Sequence, residues 1–235
     1  MASTLAASSL SVRGQRARER LLQAAAEELI DNRGWLEMAT VARRAGVSVG
    51  LPYRYFGTRS GLLTTVVELF YDRLDNAVLH ASFPGQSWYE REHERTSAWV
   101  RFLFDEPLAP IVLGPLARDA DVAAVEAQRL DAAIERGARN IGHGQAEGDL
   151  PSGRDPRLLA AAVLGGMRTT VGVALTWQPR PDPALIANEL WTFVWGSVTG
   201  DPSPTPPPAG LPRWIAALPE RPRKEPERCN KPVRR

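Results

Sequence analysis

A chain of 235 residues, 43% of them hydrophobic, is long enough to bury its own core, as one large domain or as a small domain joined to a larger one. Its one cysteine, Cys229, excludes an intramolecular disulfide framework and a cysteine-based zinc site, and favours a reduced, cytoplasmic setting. We recognise no signal peptide and no apolar run of about eighteen residues, so we expect no membrane span.

The net charge of +2 conceals an uneven distribution along the chain. Residues 1–60 carry nine arginines against five acids, residues 61–200 carry twelve against eighteen, and residues 201–235 carry eight basic residues against four acids. A polyanion is attracted to such a head and repelled by such a body, as a modular nucleic-acid binder requires, but chance scatter of charge is the commoner cause of an excess of this size. We interpret the acidic excess of the body as a solvated acidic face, with a cationic ligand as the alternative.

Apolar residues recur at helical spacing along the chain and no segment alternates like a strand, so the predicted class is all-α with about nine helices. The first helix is expected to end with Gly34 as its C′ residue, and Thr58 is expected to cap the fourth. The predicted ranges of the first four are Gln15–Asn32, Met38–Ala45, Ser48–Phe56, and from Thr58 to about His80.

Five further segments are predicted beyond Pro84. Ser87 and Glu90 have the spacing of a capping box, so a helix is expected there that ends before Pro107. A short, proline-interrupted piece covers 108–118, and Asp119 or Asp121 then opens a helix to about Ile141, followed by a loop over 142–154. Asp155-Pro156 and Asp182-Pro183 each place an N-cap acid before a proline at the first helical position, which predicts the last two helices.

The predicted domains are a flexible arm (1–14), a helix-turn-helix DNA-binding domain (15–60), a helical ligand-binding and dimerisation domain (61–200) and a proline-rich basic tail (201–235). Proline at the density of DPSPTPPPAG prevents helix propagation, so the tail is expected to be extended or disordered.

The segment Met38–Phe56 meets the steric requirements of a helix-turn-helix. Ala42 is small enough for two helices to cross closely, and Gly46 allows a left-handed turn four residues later. Ser48 is placed to cap the third helix and so direct free backbone N–H groups at the groove and its phosphates. The small core between the helices is expected from Val41, Val47 and Tyr55.

The side chains around this segment are suited to DNA. Arg54 or Arg44 is predicted to grip a guanine edge, because arginine reaches O6 and N7 together. Hydroxyl groups and Arg59 are predicted to hold phosphates, and Val49 and Leu51 to touch thymine methyl groups. The predicted DNA-contacting residues are Thr40, Arg43, Arg44, Ser48, Val49, Gly50, Leu51, Tyr53, Arg54 and Arg59.

With these motifs, Gly34-Trp35, VARRAGVS at 41–48 and YRYFGTR at 53–59, the first 80 or so residues resemble the TetR family of one-component bacterial regulators. The resemblance implies a homodimer joined by its last two helices, a ligand pocket in the body, and repression at a palindromic operator that ligand relieves. It also places Thr40, Ser48, Tyr53, Arg54 and Arg59 at the DNA. The sequence departs from the family where Val49, Leu51 and Pro52 replace a common lysine, threonine and leucine, which removes polar groups from the recognition helix.

Large apolar side chains are the candidates for a ligand pocket and for the dimer interface. The pocket candidates are Trp88, Tyr89, Trp99, Phe102, Met167 and Trp177. The interface candidates are Leu159, Val163, Met167, Ile186, Leu190 and Phe193.

No catalytic or metal-binding constellation is recognisable, because His80, His93 and His143 are scattered and no phosphate loop, HExxH or GxSxG motif is present. We therefore expect no enzyme activity, no cofactor and no metal. The alternative functions are a protein-interaction or peripheral membrane module that acts through the basic tail, and an uncharacterised helical enzyme.

Overall fold

The computed structural model describes residues 11–200, and this part of the chain is built from helices, which confirms the all-α prediction. A 3₁₀ helix, Pro115–Arg118, lies between the sixth and seventh α-helices. Residues 201–235 and the first ten residues of the predicted arm lie outside the described range. The α-helices are α1 (Val12–Asp31), α2 (Met38–Arg44), α3 (Gly50–Phe56), α4 (Arg59–Val78), α5 (Trp88–Asp105), α6 (Ala109–Val112), α7 (Ala120–Glu147), α8 (Pro156–Ala174) and α9 (Pro183–Thr199).

The head of the molecule consists of α1 to α3, packed on the start of α4. Leu21 and Leu29 of α1 and Val41 of α2 are fully buried, and so are Leu62 and Leu63 of α4. The α2–α3 turn is formed as predicted: Ala42 is fully buried, and Gly46 has a φ of 66°. Burial of aliphatic side chains on this scale stabilises the head by about 1.5–3 kcal/mol per residue before entropy is counted.

Three predicted boundaries in the head need correction. Helix α1 begins at Val12 rather than Gln15, because the Ser11 hydroxyl caps it by accepting from the Gly14 N–H at 3.3 Å. At its other end Arg33 occupies C′ with a φ of 52°, and Gly34 follows as C″ with a φ of 94°. Helix α3 begins at Gly50, and its N-cap residue Val49 makes no side-chain cap bond. Ser48 therefore lies in the turn and does not cap the helix.

Helix starts in the body match the predicted N-cap signals. Thr58 accepts from the Gly61 N–H at 3.0 Å, Ser87 and Glu90 form a capping box, and Asp119 caps α7. Asp155 and Asp182 cap α8 and α9, each ahead of a proline. The first turns of these helices are thus set by local sequence.

The loop predicted over 142–154 is wrong in its first half. Helix α7 continues to Glu147 and ends at Gly148, which has a φ of 83°. The glycines inside it serve packing: a Cβ on Gly144 would lie 2.9 Å from Trp88 Cδ1 and 3.1 Å from Leu150 Cδ1. Helix α7 also approaches α8 closely, since a Cβ on Gly137 would lie 3.1 Å from the Ala160 Cβ.

Candidate nucleic-acid interface and cavity

One face of α3 is exposed and carries the predicted reading residues. Tyr53 is 51% exposed, and Val49, at the N-cap four positions earlier, is 56% exposed. Gly50, which follows Val49, and Arg54, which follows Tyr53, are exposed too. Four-residue spacing places these residues on one side of the helix. On the opposite side Pro52 is buried, so the helix is attached to the head by one face and free on the other.

Residues of α2 and the turn extend this face. Arg43 is exposed, and its guanidinium donates to the Thr40 Oγ1 at 3.4 Å. The Thr40 hydroxyl in turn donates to Glu37 at 3.4 Å. Ser48 is exposed in the turn. Leu51 is half-buried and packs against the core, which reduces the surface it has for a thymine methyl group.

Arg44 lies beside three carboxylates of α1. Its guanidinium is 2.8 Å from Asp31, 3.1 Å from Glu28 and 3.7 Å from Glu27. The hydrogen bond to Asp31 raises the pKa of Arg44, burial opposes this, and the three negative charges add to the rise. Because Glu28 is itself buried, Arg44 neutralises a carboxylate inside the head. Arg44 thus has carboxylate partners within the chain, whereas the side chain of exposed Arg54 makes no hydrogen bond or ion pair within residues 11–200, so a base contact is the simpler expectation for Arg54.

Arg59 also has partners within the chain. Its Nε donates to the Leu36 carbonyl at 3.0 Å, and its guanidinium lies 5.2 Å from the centre of the Trp35 ring. Its Nη1 is 3.8 Å from Asp119, the residue that caps α7. Arg59 thus joins the head to the body, and its predicted contact with a phosphate would have to compete with these partners.

The start of α1 contains candidates that the sequence did not single out. The Tyr55 hydroxyl donates to the Gly14 carbonyl at 3.1 Å, which holds this end of α1 against α3. Arg13 and Arg16 are exposed there. The basic charge of residues 1–60 was the available signal, but it did not say which arginines lie beside the reading helix.

A cavity of about 400 Å³ lies in the body between α4, α5, α7 and α8, with α9 along one edge. Its volume is in the range usual for small-molecule sites. Apolar side chains form most of its wall, including Leu74, Val78, Leu103, Ile141, Val163 and Leu164.

The floor of the cavity is a polar network of three residues from three helices. The Tyr71 hydroxyl donates to Glu126 at 2.8 Å, and Arg168 is 2.8 Å from both the Tyr71 oxygen and Glu126. Burial raises the pKa of Tyr71 above its ordinary value, the Arg168 charge opposes the rise and Glu126 adds to it. Tyr71 therefore remains a neutral phenol, fixed between a carboxylate and a guanidinium.

Each acid on the cavity wall has an arginine partner. The three acids are Asp75, Glu92 and Glu126, and the three arginines are Arg95, Arg129 and Arg168. Asp75 is 3.4 Å from Arg129, Glu126 is 2.8 Å from Arg168, and Glu92 pairs with Arg95. The acidic excess of the body therefore does not extend to this wall, which removes the basis for expecting a cationic ligand.

Comparison with known proteins places the head in a family. The model for bacterial regulatory proteins of the tetR family matches residues 22–66, which contain α2, α3 and their turn. Over these residues the chain is similar to the DNA-binding domain of tetR-family regulators. This match supports a DNA-binding transcriptional regulator. No curated protein matches the chain.

Solved TetR-like structures share the fold of the whole described region. GusR of Salmonella enterica has a TM-score of 0.64 at 18% identity, with 78% of this chain and 96% of GusR covered. A TetR-family regulator of Syntrophomonas wolfei has a TM-score of 0.65 at 17% identity, covering 77% and 93%. FadR of Bacillus subtilis, solved with stearoyl-CoA, has a TM-score of 0.63 at 18% identity, covering 78% and 99%.

Three of the six predicted pocket residues line the cavity. These are Trp88, Trp99 and Met167. Tyr89 instead lies 42% exposed between α5 and α9, with its ring edge-on to Trp191 at 4.9 Å. Phe102 packs against Phe70 at 6.0 Å, and Trp177 lies in the α8–α9 connection. Aromatic character alone did not separate cavity wall from core.

Five of the six predicted interface residues pack inside the chain and so cannot form an outer surface. They are Leu159, Val163, Met167, Ile186 and Leu190, all buried. The sixth, Phe193, is 42% exposed, and exposed apolar positions on α8 are Leu158, at 72%, and Val173, at 50%. Helices α8 and α9 are apolar as predicted, but five of the residues chosen for the interface lie on the faces that pack inside the chain.

Residues 11–200 contain neither a candidate membrane span nor a candidate metal site. No helix there is long and apolar enough to cross a bilayer. No group of three or more His, Cys, Asp or Glu side chains there is placed to hold a metal ion. His93, the histidine with acidic neighbours, stacks on Tyr89 with ring centres 6.2 Å apart.

Proposed function

We propose that this chain is a dimeric repressor that binds a palindromic operator and is released from it when a small molecule enters the body cavity. The observation that carries the proposal is the free face of α3, with Arg54 and Tyr53 exposed beside exposed Arg43 and the rest of the helix anchored in the head. In a helix-turn-helix protein, such a face enters the major groove while the preceding helix crosses the backbone.

The proposed contacts are of two kinds: contacts to base edges, which read the sequence, and contacts to phosphates, which position the protein. Arg54 reads a guanine, and Val49 touches a thymine methyl group. Tyr53, Thr40, Arg43 and Ser48 hold phosphates, with Gly50 allowing close approach of the backbone. Since Arg44 and Arg59 are engaged within the chain, few polar side chains remain to read bases. The operator preference should therefore depend strongly on Arg54.

Support for a ligand-controlled switch comes from the position of the cavity. Helix α4 runs from the head into the cavity wall, and α7, which lines the cavity, is capped by Asp119 beside Arg59. Binding of stearoyl-CoA by FadR is a property of that protein, and it supports a ligand site in a body of this fold. A ligand shifts an operator-binding equilibrium only through different affinities for its two states.

Selection of fragmented genomic DNA by the purified full chain tests the proposal. We expect enrichment of a sequence with two related half-sites about 10 base pairs, or a multiple of that spacing, from centre to centre. The retained fragments would also identify neighbouring target genes. Recovery of DNA without a shared sequence would contradict the proposed operator binding.

A further inference from the structure

The cavity wall contains buried hydrogen-bond donors without partners. Trp88 is 2% exposed, lines the cavity, and its indole Nε1–H has no acceptor. Arg95, on the same wall, pairs with Glu92 through Nη1, while its Nε has no acceptor. A buried donor without an acceptor is unfavourable, and an oxygen supplied by a ligand removes that cost.

The two donors lie on one face of α5. Trp88 and Arg95 are separated by seven residues, or about two helical turns, and Thr96 and Trp99 continue the same wall. Within residues 11–200, the only other buried side-chain nitrogen or oxygen without a partner is the Arg136 Nε, again a donor. The unpartnered buried groups are thus all donors, and what this region lacks is an acceptor, which a ligand could supply.

The charges of the wall are already paired, which disfavours an ionic ligand. The three acids and three arginines that line the cavity form ion pairs with one another. A cationic ligand would compete with an arginine for each carboxylate, and an anionic ligand with a carboxylate for each guanidinium. Either ion would also lose its hydration in a mainly apolar cavity, with no unpaired opposite charge to replace it.

From these contacts we infer that the cavity binds an uncharged, mainly apolar molecule whose carbonyl or ether oxygen accepts a hydrogen bond from Trp88 Nε1. This inference rests on the proposed function, since it names the class of effector for the same cavity. The apolar part of the ligand lies against the leucine and valine wall, and Arg95 offers a second donor two turns along α5.

Four compounds built on one naphthalene ring separate the possibilities. These are 2-acetylnaphthalene, its acceptor-free isostere 2-isopropylnaphthalene, the anion 2-naphthoate and the cation (2-naphthyl)trimethylammonium. Titration calorimetry on the full chain is expected to show 2-acetylnaphthalene binding about tenfold more tightly than 2-isopropylnaphthalene, the effect of one hydrogen bond. Both ions are expected to bind more weakly than the ketone.

Matched tryptophan variants assign the preference to one donor. Trp88→Phe keeps an aromatic ring against Gly144 and removes the N–H, so the preference for the ketone should disappear. Trp99→Phe makes the same change on the same wall at a half-buried tryptophan that is not among the buried unpartnered donors, and the preference should remain. Wild-type titrations alone test the ligand class if Trp88→Phe does not fold.

Several results overturn the inference. They are equal binding of the ketone and its isostere, tighter binding of either ion, binding of none of the four compounds, or a preference that survives in folded Trp88→Phe. Operator binding is measured separately on the selected DNA. Its failure would contradict the proposed function, whereas failure of the naphthalene series with operator binding intact would contradict only the ligand class.

Discussion

Arg44 and Arg54 lie ten residues apart on adjacent helices and have different surroundings. Arg44 is held by carboxylates of α1, one of which, Glu28, is buried. Arg54 is exposed on the free face of α3. Both arginines occur in the motifs that resemble the TetR family. The motifs therefore predict a DNA-binding head, but they do not distinguish Arg44, which pairs with carboxylates of the head, from Arg54, which we propose reads a base. The difference depends on Asp31 and Glu28, which lie in another helix.

Substitution of Arg44 by alanine is expected to destabilise the head without changing operator preference. The variant leaves buried Glu28 without its cation, so its melting temperature should fall, and Arg44→Lys should restore part of the loss. Thermal unfolding followed by circular dichroism measures the first effect. Competition between operator and mutated operators measures the second, and a changed base preference would show that Arg44 reads DNA after all.

Tyr71→Phe tests the polar network of the cavity. Burial raises the pKa of Tyr71 above its ordinary value of 10, so its contribution to stability is complete below pH 10 and is lost as the pH rises beyond it. At pH 7 the variant should be less stable by about 1 kcal/mol, from lost hydrogen bonds. Urea unfolding at pH 7 and at pH 10.5 should show this difference shrinking at the higher pH. A constant or growing difference would contradict a raised pKa.

The sequence did not predict the network of Tyr71, Glu126 and Arg168. The three residues are 55 and 42 positions apart in the chain and follow no shared motif. Only the packing of α4, α7 and α8 brings them together. Helical periodicity identifies which residues face inward, but it does not show which inward residues from different helices meet.

At the scale of elements, helix starts were predicted better than helix ends. Thr58, Ser87, Asp155 and Asp182 cap their helices through bonds to backbone groups two or three residues away, so the signal is local. The end of α7 was misplaced because Gly144, taken as a loop residue, is required by contact with Trp88. That contact joins residues 56 positions apart in the sequence.

The joint between head and body at Arg59 gives an element-scale prediction. Arg59→Ala removes the contacts to the Leu36 carbonyl and Asp119, so amide hydrogen exchange should accelerate around Leu36 and at the start of α7. The dependence of log affinity for DNA on log salt should keep its wild-type slope if Arg59 stays with its partners within the chain and holds no phosphate. Arg43→Ala is the control, since loss of one phosphate contact reduces the slope by about one. A similar reduction of this slope for Arg59→Ala would support the prediction that Arg59 binds a phosphate.

For the whole molecule, the uneven charge and the helix order predicted the type of protein correctly. The basic head carries the DNA-binding motif, and the acidic body contains the cavity. The surface for a partner subunit was not predictable residue by residue, because α8 and α9 are apolar on both their inner and outer faces. Only the fold separates buried Leu159 from exposed Leu158.

The exposed apolar positions on α8 predict how the dimer is broken. We propose that these positions lie in the dimer interface. The double variant Leu158→Glu, Val173→Glu places charges there while leaving buried positions unchanged, and we expect a monomeric mass by light scattering at micromolar concentration. Val12→Glu, at a residue 66% exposed in the head, is the matched control and should remain dimeric. A double variant that stays dimeric would locate the interface elsewhere.

The most direct test of DNA reading is a binding titration of the selected operator and of a scrambled duplex with wild-type protein and Arg54→Ala. Fluorescence anisotropy should show wild-type protein binding the operator about a thousandfold or more tightly than the scrambled duplex. Arg54→Ala should weaken operator binding by about 1–3 kcal/mol and change binding to the scrambled duplex little. Equal affinity of wild-type protein for the two duplexes, or an operator isotherm unchanged in Arg54→Ala, would contradict the assignment of the α3 face as the reading surface.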